Sequence, residues 1–160
     1  NGFISIVRPY NNKIKNTIKK IAKKIASRLS NGNTIVLTGD LGSGKTKFVE
    51  GFLSYYGLEN EISSPTFTIV NEYNTSNVNI YHFDVYRLES EDEFYAIGGD
   101  EYFSKGICII EWGELIKNCL PNSYINISFE KDPSDTEIRI LNISIQGNEN
   151  KFNFLKKGFF

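Results

Sequence analysis

Eight consecutive residues, Gly39-Asp40-Leu41-Gly42-Ser43-Gly44-Lys45-Thr46, match the pattern G-x-x-x-x-G-K-[ST] at every fixed position. The chemistry this spacing serves is the binding of a polyphosphate. Glycines, having no Cβ, let successive backbone N–H groups converge on one concavity and let phosphate oxygens approach the main chain closely. A helix beginning at Gly44-Lys45 adds the positive end of its dipole, with Lys45 reaching the β and γ phosphates and the Thr46 hydroxyl ligating Mg²⁺. The expected cofactor-binding set is therefore Gly39, Asp40, Leu41, Gly42, Ser43, Gly44, Lys45, Thr46 and the adjoining Lys47. A merely tight turn between a strand and a helix needs one glycine rather than three, and it accounts for neither Lys45 nor Thr46.

Hydrolysis or transfer of a phosphoryl group also needs an acid at a strand end to hold the metal or its waters. Two residues qualify. Glu111 ends the apolar run Ile107-Cys108-Ile109-Ile110, and Asp84 follows Ile80-Tyr81-His82-Phe83. Both would emerge where open α/β sheets place their ligands, although each also reads as a solvated strand terminus. Lys45, Asp84 and Glu111 form the expected catalytic set, and Thr46, Glu111 and Asp84 the expected metal ligands. Trp112, beside Glu111, could be core, a lid over the nucleotide or a partner contact. His82, the single histidine, alternates with Tyr81 and Phe83 on a strand and reads as a packed or hydrogen-bonded structural residue. The guanine-reading Asn-Lys-x-Asp signature is absent from the chain, which favours ATP over GTP.

The surrounding pattern supplies the elements these residues need. From Lys13 to Ser30 isoleucines and alanines recur every three or four positions among lysines, predicting an amphipathic helix with a solvated basic face. Thr34–Thr38 is a continuous β-prone run, as in a buried parallel strand, and Lys45–Tyr56 carries Phe48, Val49, Phe52 and Leu53 on one helical face. Strand, glycine turn and helix make a βα unit. Thr66–Tyr73 and Val78–Tyr86 predict a hairpin, Glu91–Ala96 a short acidic helix, and further strands are expected at Ile107–Ile110, Tyr124–Glu130 and Glu137–Ile145. The fold class is α/β: a single P-loop NTPase domain over 1–160 with a mixed, mostly parallel central sheet flanked by helices, residues 148–160 forming a flexible or docking tail.

Composition narrows the function classes. At 160 residues with 40% hydrophobic and 14% aromatic content, the chain is long and apolar enough to fold around one core. Eighteen basic against nineteen acidic residues leave no whole-protein basic field to hold nucleic acid, so any RNA role is local or indirect. Cys108 and Cys119 form no C-x-x-C pair, which excludes a cysteine zinc site and a disulfide scaffold and suits a reducing compartment. No apolar run approaches the roughly 18 residues of a membrane span. Asn1-Gly2-Phe3 has no targeting pattern and reads as a trimmed end, so a cytoplasmic protein is expected.

Several blocks resemble the bacterial TsaE (YjeE) family over almost the whole chain: GDLGSGKT at 39–46, SPTFTIVNEY at 64–73, YHFDVYRL at 81–88, GGDEYF at 98–103 and IEWGE at 110–114. A P-loop alone is common property, whereas SPTF together with HFDxYR and EW is far more specific. The resemblance implies a P-loop ATPase, with ATP and Mg²⁺ as cofactors, that serves threonylcarbamoyladenosine modification of tRNA. Partner proteins TsaD and TsaB would activate it, and tRNA would be met only through that complex, with no membrane and no DNA. It also implies that Thr46 and Glu111 serve Mg²⁺, that Asp84 assists hydrolysis, that Thr66 belongs to a switch-like element near the γ phosphate, and that Trp112 lies by the site. Thr17 is the residue nearest the threonine that the family commonly places beside the adenine at the start of its first helix, at a spacing that departs slightly from the family's. Arg139 falls where the family often has a nucleotide-contacting arginine in a late strand. Two other readings fit a P-loop of this size: a small-molecule kinase, against which stands the lack of an arginine-rich lid, and a nucleotide-gated interaction protein with negligible turnover.

Overall fold

The computed structural model describes residues 3–9, 12–39, 44–62, 68–135, 137–156 and 158–160; of Phe3, Val7, Arg8, Pro9 and Asn12 only the backbone is described. Seven strands form one sheet: β1 (Phe3–Pro9), β2 (Thr34–Gly39), β3 (Val70–Asn74), β4 (Asn79–Asp84), β5 (Ile107–Glu111), β6 (Tyr124–Lys131) and β7 (Ile138–Gln146), in the order β1-β7-β6-β2-β5-β4-β3. The central strands β6, β2, β5 and β4 are mutually parallel, whereas β7, β1 and β3 add antiparallel edges. Helices cover both faces, so the expected mixed sheet with a parallel centre is what the chain builds.

Burial on both faces explains the strand compositions. Ile107 to Glu111 is buried at every position of β5, as a central parallel strand requires. On one face α1 (Asn12–Ala26) and α2 (Lys45–Ser54) pack Ile14, Ile18, Ile25, Phe48 and Phe52 against Ile35, Leu37, Ile109 and Phe129. Phe94 of α3 (Glu91–Ala96) and Ile116 close the other face over Phe83, Cys108 and Ile110. Fully burying a large apolar side chain contributes roughly 1.5–3 kcal/mol, so the two clusters are what hold the helices against the sheet. α3 starts at Ser90, whose hydroxyl accepts from the Glu93 amide, and Glu91, Asp92 and Glu93 favour the positive end of its short dipole.

Three elements differ from the sequence expectation. The first helix stops at Ala26 rather than Ser30, because Arg28 and Leu29 bond three residues back, to Ile25 and Ala26, in a tighter turn. Leu29 is nevertheless buried, which is why the apolar periodicity runs on past the helix. The strand expected from Thr66 begins at Val70; residues 63–67 lie outside the described set. Patterning gives no strand before Lys13, yet β1 pairs with β7 from Phe3↔Ser144 to Pro9↔Ile138, with Ile4 and Ile6 packed on the core around Ser5. After β7, Phe152 is buried and Phe154 and Leu155 pack against the same cluster. Among the described residues no helix is long and apolar enough to cross a membrane.

Candidate functional site

Strand parity sets the site. Along β4, Ile80 joins the core beneath α1 and α2 while Tyr81 and Phe83 join the opposite one, so His82 and Asp84 share the Ile80 face. The same alternation on β5 puts Glu111 on the face of Ile107 and Ile109. Parallel register then lines up the strand ends, with Leu37 opposite Glu111 and Glu111 opposite Asp84. With neighbouring strands about 4.8 Å apart, both carboxylates arise at one sheet edge beside the chain leaving β2.

That chain enters α2 through Gly44, whose φ of 116° is a backbone conformation that L side chains rarely adopt. The first helical hydrogen bond runs from the Phe48 amide to the Gly44 carbonyl, so the amides of Lys45, Thr46 and Lys47 precede the ladder and no acidic residue occupies the first turn. Lys45 is only 5% exposed; its ammonium donates to the Gly39 carbonyl at 2.9 Å and stands 3.8 Å over the Trp112 ring. The Thr46 residue is exposed, and the Lys47 ammonium pairs with Glu50 at 3.3 Å.

Trp112 follows Glu111 in the left-handed region (φ 65°), the only described non-glycine residue with positive φ. Its amide bonds to the Leu37 carbonyl at 3.0 Å, which fastens the end of β5 to β2. The turn brings the indole against Tyr86, ring centroids 4.9 Å apart, and beneath Lys45. Such backbone strain persists only where surroundings over-determine it, and here the strand bond, the ring contact and the ammonium do so. Asp84 is partly buried, and one of its oxygens accepts from the Tyr86 amide at 3.0 Å. Glu111, 9% exposed, shares a 2.6 Å hydrogen bond between its Oε2 and His82 Nε2.

Two residues join the site that motif reasoning does not assign to it. Glu114 stands near Lys45 and the Gly39 amide; partial burial pushes its carboxyl above the ordinary range, against the pull of its own amide, the ammonium and the Gly39 amide. Its signal was its place three residues after Glu111 in the IEWGE block. His82 reads from sequence as a packed or hydrogen-bonded strand residue, and only the fold discloses that its partner is Glu111. Of the other expected residues, Thr17 lies on α1 with its hydroxyl donating to the Lys13 carbonyl at 2.9 Å, next to Ile18, which borders Gly44. Arg139 sits opposite Lys131, two residues beyond the Phe129 that pairs with Gly39, and so at the same sheet edge two strands away. Asp40, Leu41, Gly42, Ser43 and Thr66 lie outside the described residues.

These residues fit a magnesium–nucleotide. Mg²⁺ is usually held through one or two carboxylates together with phosphate oxygens and waters, rather than by an all-protein cage. The described residues contain no cluster of three or more His, Cys, Asp and Glu that would hold a metal unaided. A hydroxyl at the second helical residue and two strand-end carboxyl groups are a donor set of the required hardness and number.

The family model described as "Threonylcarbamoyl adenosine biosynthesis protein TsaE" matches residues 12–140. The chain belongs to the TsaE family. The matched span takes in every site residue from Thr17 to Arg139 and leaves out β1 and the tail. Among relatives named as the tRNA threonylcarbamoyladenosine biosynthesis protein TsaE, that of Bacillus subtilis is 44% identical over 105 residues, which cover 65% of each chain. The Treponema pallidum protein is 44% identical over 62% of this chain and 74% of its own. The Rickettsia bellii protein is 41% identical over 70% of this chain and 77% of its own. The chain thus spans just under two thirds of the length of the B. subtilis relative. In three dimensions it resembles the crystal structure of YdiB from B. subtilis, with a TM-score of 0.69 and 30% identity over 97% of this chain and 93% of that one.

Proposed function

We propose that this TsaE-family chain is a Mg²⁺-dependent ATPase that supports threonylcarbamoyladenosine modification of tRNA as the nucleotide-driven partner of a TsaB–TsaD threonylcarbamoyl transferase. The observation that carries the proposal is the placement of Lys45. It is buried at the first turn of α2, directly behind left-handed Gly44, with the strand-end acids Glu111 and Asp84 one and two strands away from β2, respectively.

Each residue then has a physical task. The amides of Lys45, Thr46 and Lys47 and the Lys45 ammonium bind phosphate oxygens, since oriented donors near a helix N-terminus need no reorganisation as negative charge shifts. The Thr46 hydroxyl and Glu111 hold the metal or its waters, and Mg²⁺ when bound neutralises charge on the phosphates. Asp84, with one oxygen already taken by the Tyr86 amide, offers the other to orient a water. Trp112, with Tyr86 against its ring, covers one side of the ammonium. ATP is favoured over GTP, and a net charge of −1 suits a protein that meets tRNA through its partners in the cytoplasm. Hydrolysis resets the complex only if the two nucleotide states differ in partner affinity.

The test is ATP hydrolysis by the chain alone and with TsaB and TsaD, with Lys45→Ala as the control for contaminating activity. Stimulation by the partners that Lys45→Ala abolishes is the expected result. Turnover that survives Lys45→Ala, or correctly folded partners that leave the rate unchanged, would sink the proposal and direct the search to a metabolite acceptor.

A further inference from the structure

The contact between His82 and Glu111 is not explained by packing. His82 is 3% exposed, and its Nε2 lies 2.6 Å from Glu111 Oε2. An ionised carboxylate can only accept, so the ring nitrogen is the donor. The other ring nitrogen, Nδ1, is buried with no hydrogen-bond partner among the described residues. A histidine present only to fill the core would either satisfy both nitrogens or give way to an apolar residue, because an unpaired buried polar atom costs stability. Here one nitrogen is left unsatisfied while the other is committed to the acid at the end of β5. Parity makes the contact possible: His82 and Glu111 lie on the same face of adjacent parallel strands, and His82 is two residues before Glu111's register partner Asp84.

We propose that His82 is a positioning residue for Glu111, fixing the carboxylate by the Nε2–Oε2 bond so that Oε1 is the oxygen presented to the metal or its waters. This rests on the magnesium–nucleotide reading of the site. A carboxylate held by one oxygen has its rotamer set before the cation arrives, so the cation need not order it. Partners of this kind behind a metal ligand commonly change metal affinity by about 10–100-fold when removed. His82 itself touches neither phosphate nor metal, so its loss acts on the Mg²⁺ dependence and spares the phosphate cradle around Lys45.

The experiment is a titration of ATP without and with Mg²⁺, followed by the fluorescence of Trp112, the single tryptophan, which lies against Lys45. His82→Leu is expected to bind metal-free ATP within about twofold of the unaltered chain but to need at least about tenfold more Mg²⁺ for the same response. His82→Gln, which returns an N–H donor at a similar reach, should recover most of that loss. On a Glu111→Gln background the His82→Leu effect should vanish, since there is no carboxylate left to position. Should His82→Leu not fold, His82→Asn, whose amide is a methylene short of Glu111, must show the same shift. An unchanged Mg²⁺ requirement in the leucine variant, a glutamine variant no better than leucine, or an effect that persists without Glu111 would each overturn the inference. A response to ATP that in the unaltered chain is indifferent to Mg²⁺ defeats the metal-dependent reading itself, and shows in the parent rather than in the variants.

Discussion

Gly39 and Gly44, the two described glycines of the G-x-x-x-x-G-K-T motif, have nearly the same φ, 122° and 116°, yet replacing them with alanine should have unequal costs. A left-handed backbone costs a residue with a Cβ roughly 1–3 kcal/mol at either position. The surroundings decide the rest. At Gly39 the new Cβ would come 2.1 Å from the Phe129 carbonyl oxygen, and Phe129 is its register partner on β6. A backbone oxygen cannot swing aside; it retreats by about an ångström only if β6 moves, with loss of a ladder bond worth about 1 kcal/mol and a disturbed Phe129–Phe48 packing worth about 1–3 kcal/mol. At Gly44 the nearest atom is Ile18 Cδ1 at 2.8 Å, the free tip of a side chain. Gly39→Ala should therefore destabilise by about 3–7 kcal/mol and Gly44→Ala by about 1–3 kcal/mol, against the 5–15 kcal/mol typical of a domain. Urea unfolding at constant m-value reads both. Ile18→Val, which removes Cδ1, should make the Gly44→Ala double variant more stable than the sum of its singles by about 0.5–1.5 kcal/mol, and should not help Gly39→Ala. Equal losses at the two glycines, or rescue of Gly39→Ala by Ile18→Val, would refute the assignment of the extra cost to the β2–β6 backbone contact.

At Trp112 the left-handed backbone can be separated from the side chain: Trp112→Gly should unfold at higher urea than Trp112→Ala by about 1 kcal/mol, although both lose the ring against Tyr86 and Lys45. Burial pushes the Cys108 thiol from its ordinary 9.0 up to about 12, so both native cysteines should resist thiol reagents until the chain unfolds. Because the unfolded chain alone loses that proton between the two values, the stabilisation is complete below pH 9.0 and declines above it, by at most about 1.4 kcal/mol per pH unit. Denaturation midpoints measured from about pH 8 to about pH 11 should fall less steeply in Cys108→Ala.

Much of this arrangement is legible in the chain because the signals are local. The glycine spacing places Lys45 and Thr46 at a helix start, and apolar runs ending in an acid place Asp84 and Glu111 at strand ends. What resists reading is whatever depends on pairing between distant residues. β1 carries an Ile4-Ser5-Ile6 alternation, but only pairing with β7, more than a hundred residues away, makes it a strand. The His82–Glu111 bond spans 29 positions and exists because β4 and β5 are neighbours in parallel register. Trp112 gives no sign from its residue type that its backbone is left-handed; that follows from its amide meeting the Leu37 carbonyl.

Register is therefore as much a part of the site as the side chains. With a period of two along each strand, a slip of one residue between β5 and its neighbours would carry Glu111 to the face packed by α3 and bring Ile110 to the face beneath α2. The buried isoleucines of β5 on both faces do little to oppose such a slip, since an apolar residue is accepted on either side. The polar groups do oppose it. A slipped Glu111 would lose His82 and enter a cluster of Phe83, Phe94 and Ile116 with no charge to meet it, and Trp112 would lose its bond to Leu37. The same acid that the proposed chemistry requires thus penalises misregistered folds, and substitution of Glu111 by an apolar residue would remove function and a determinant of strand register together.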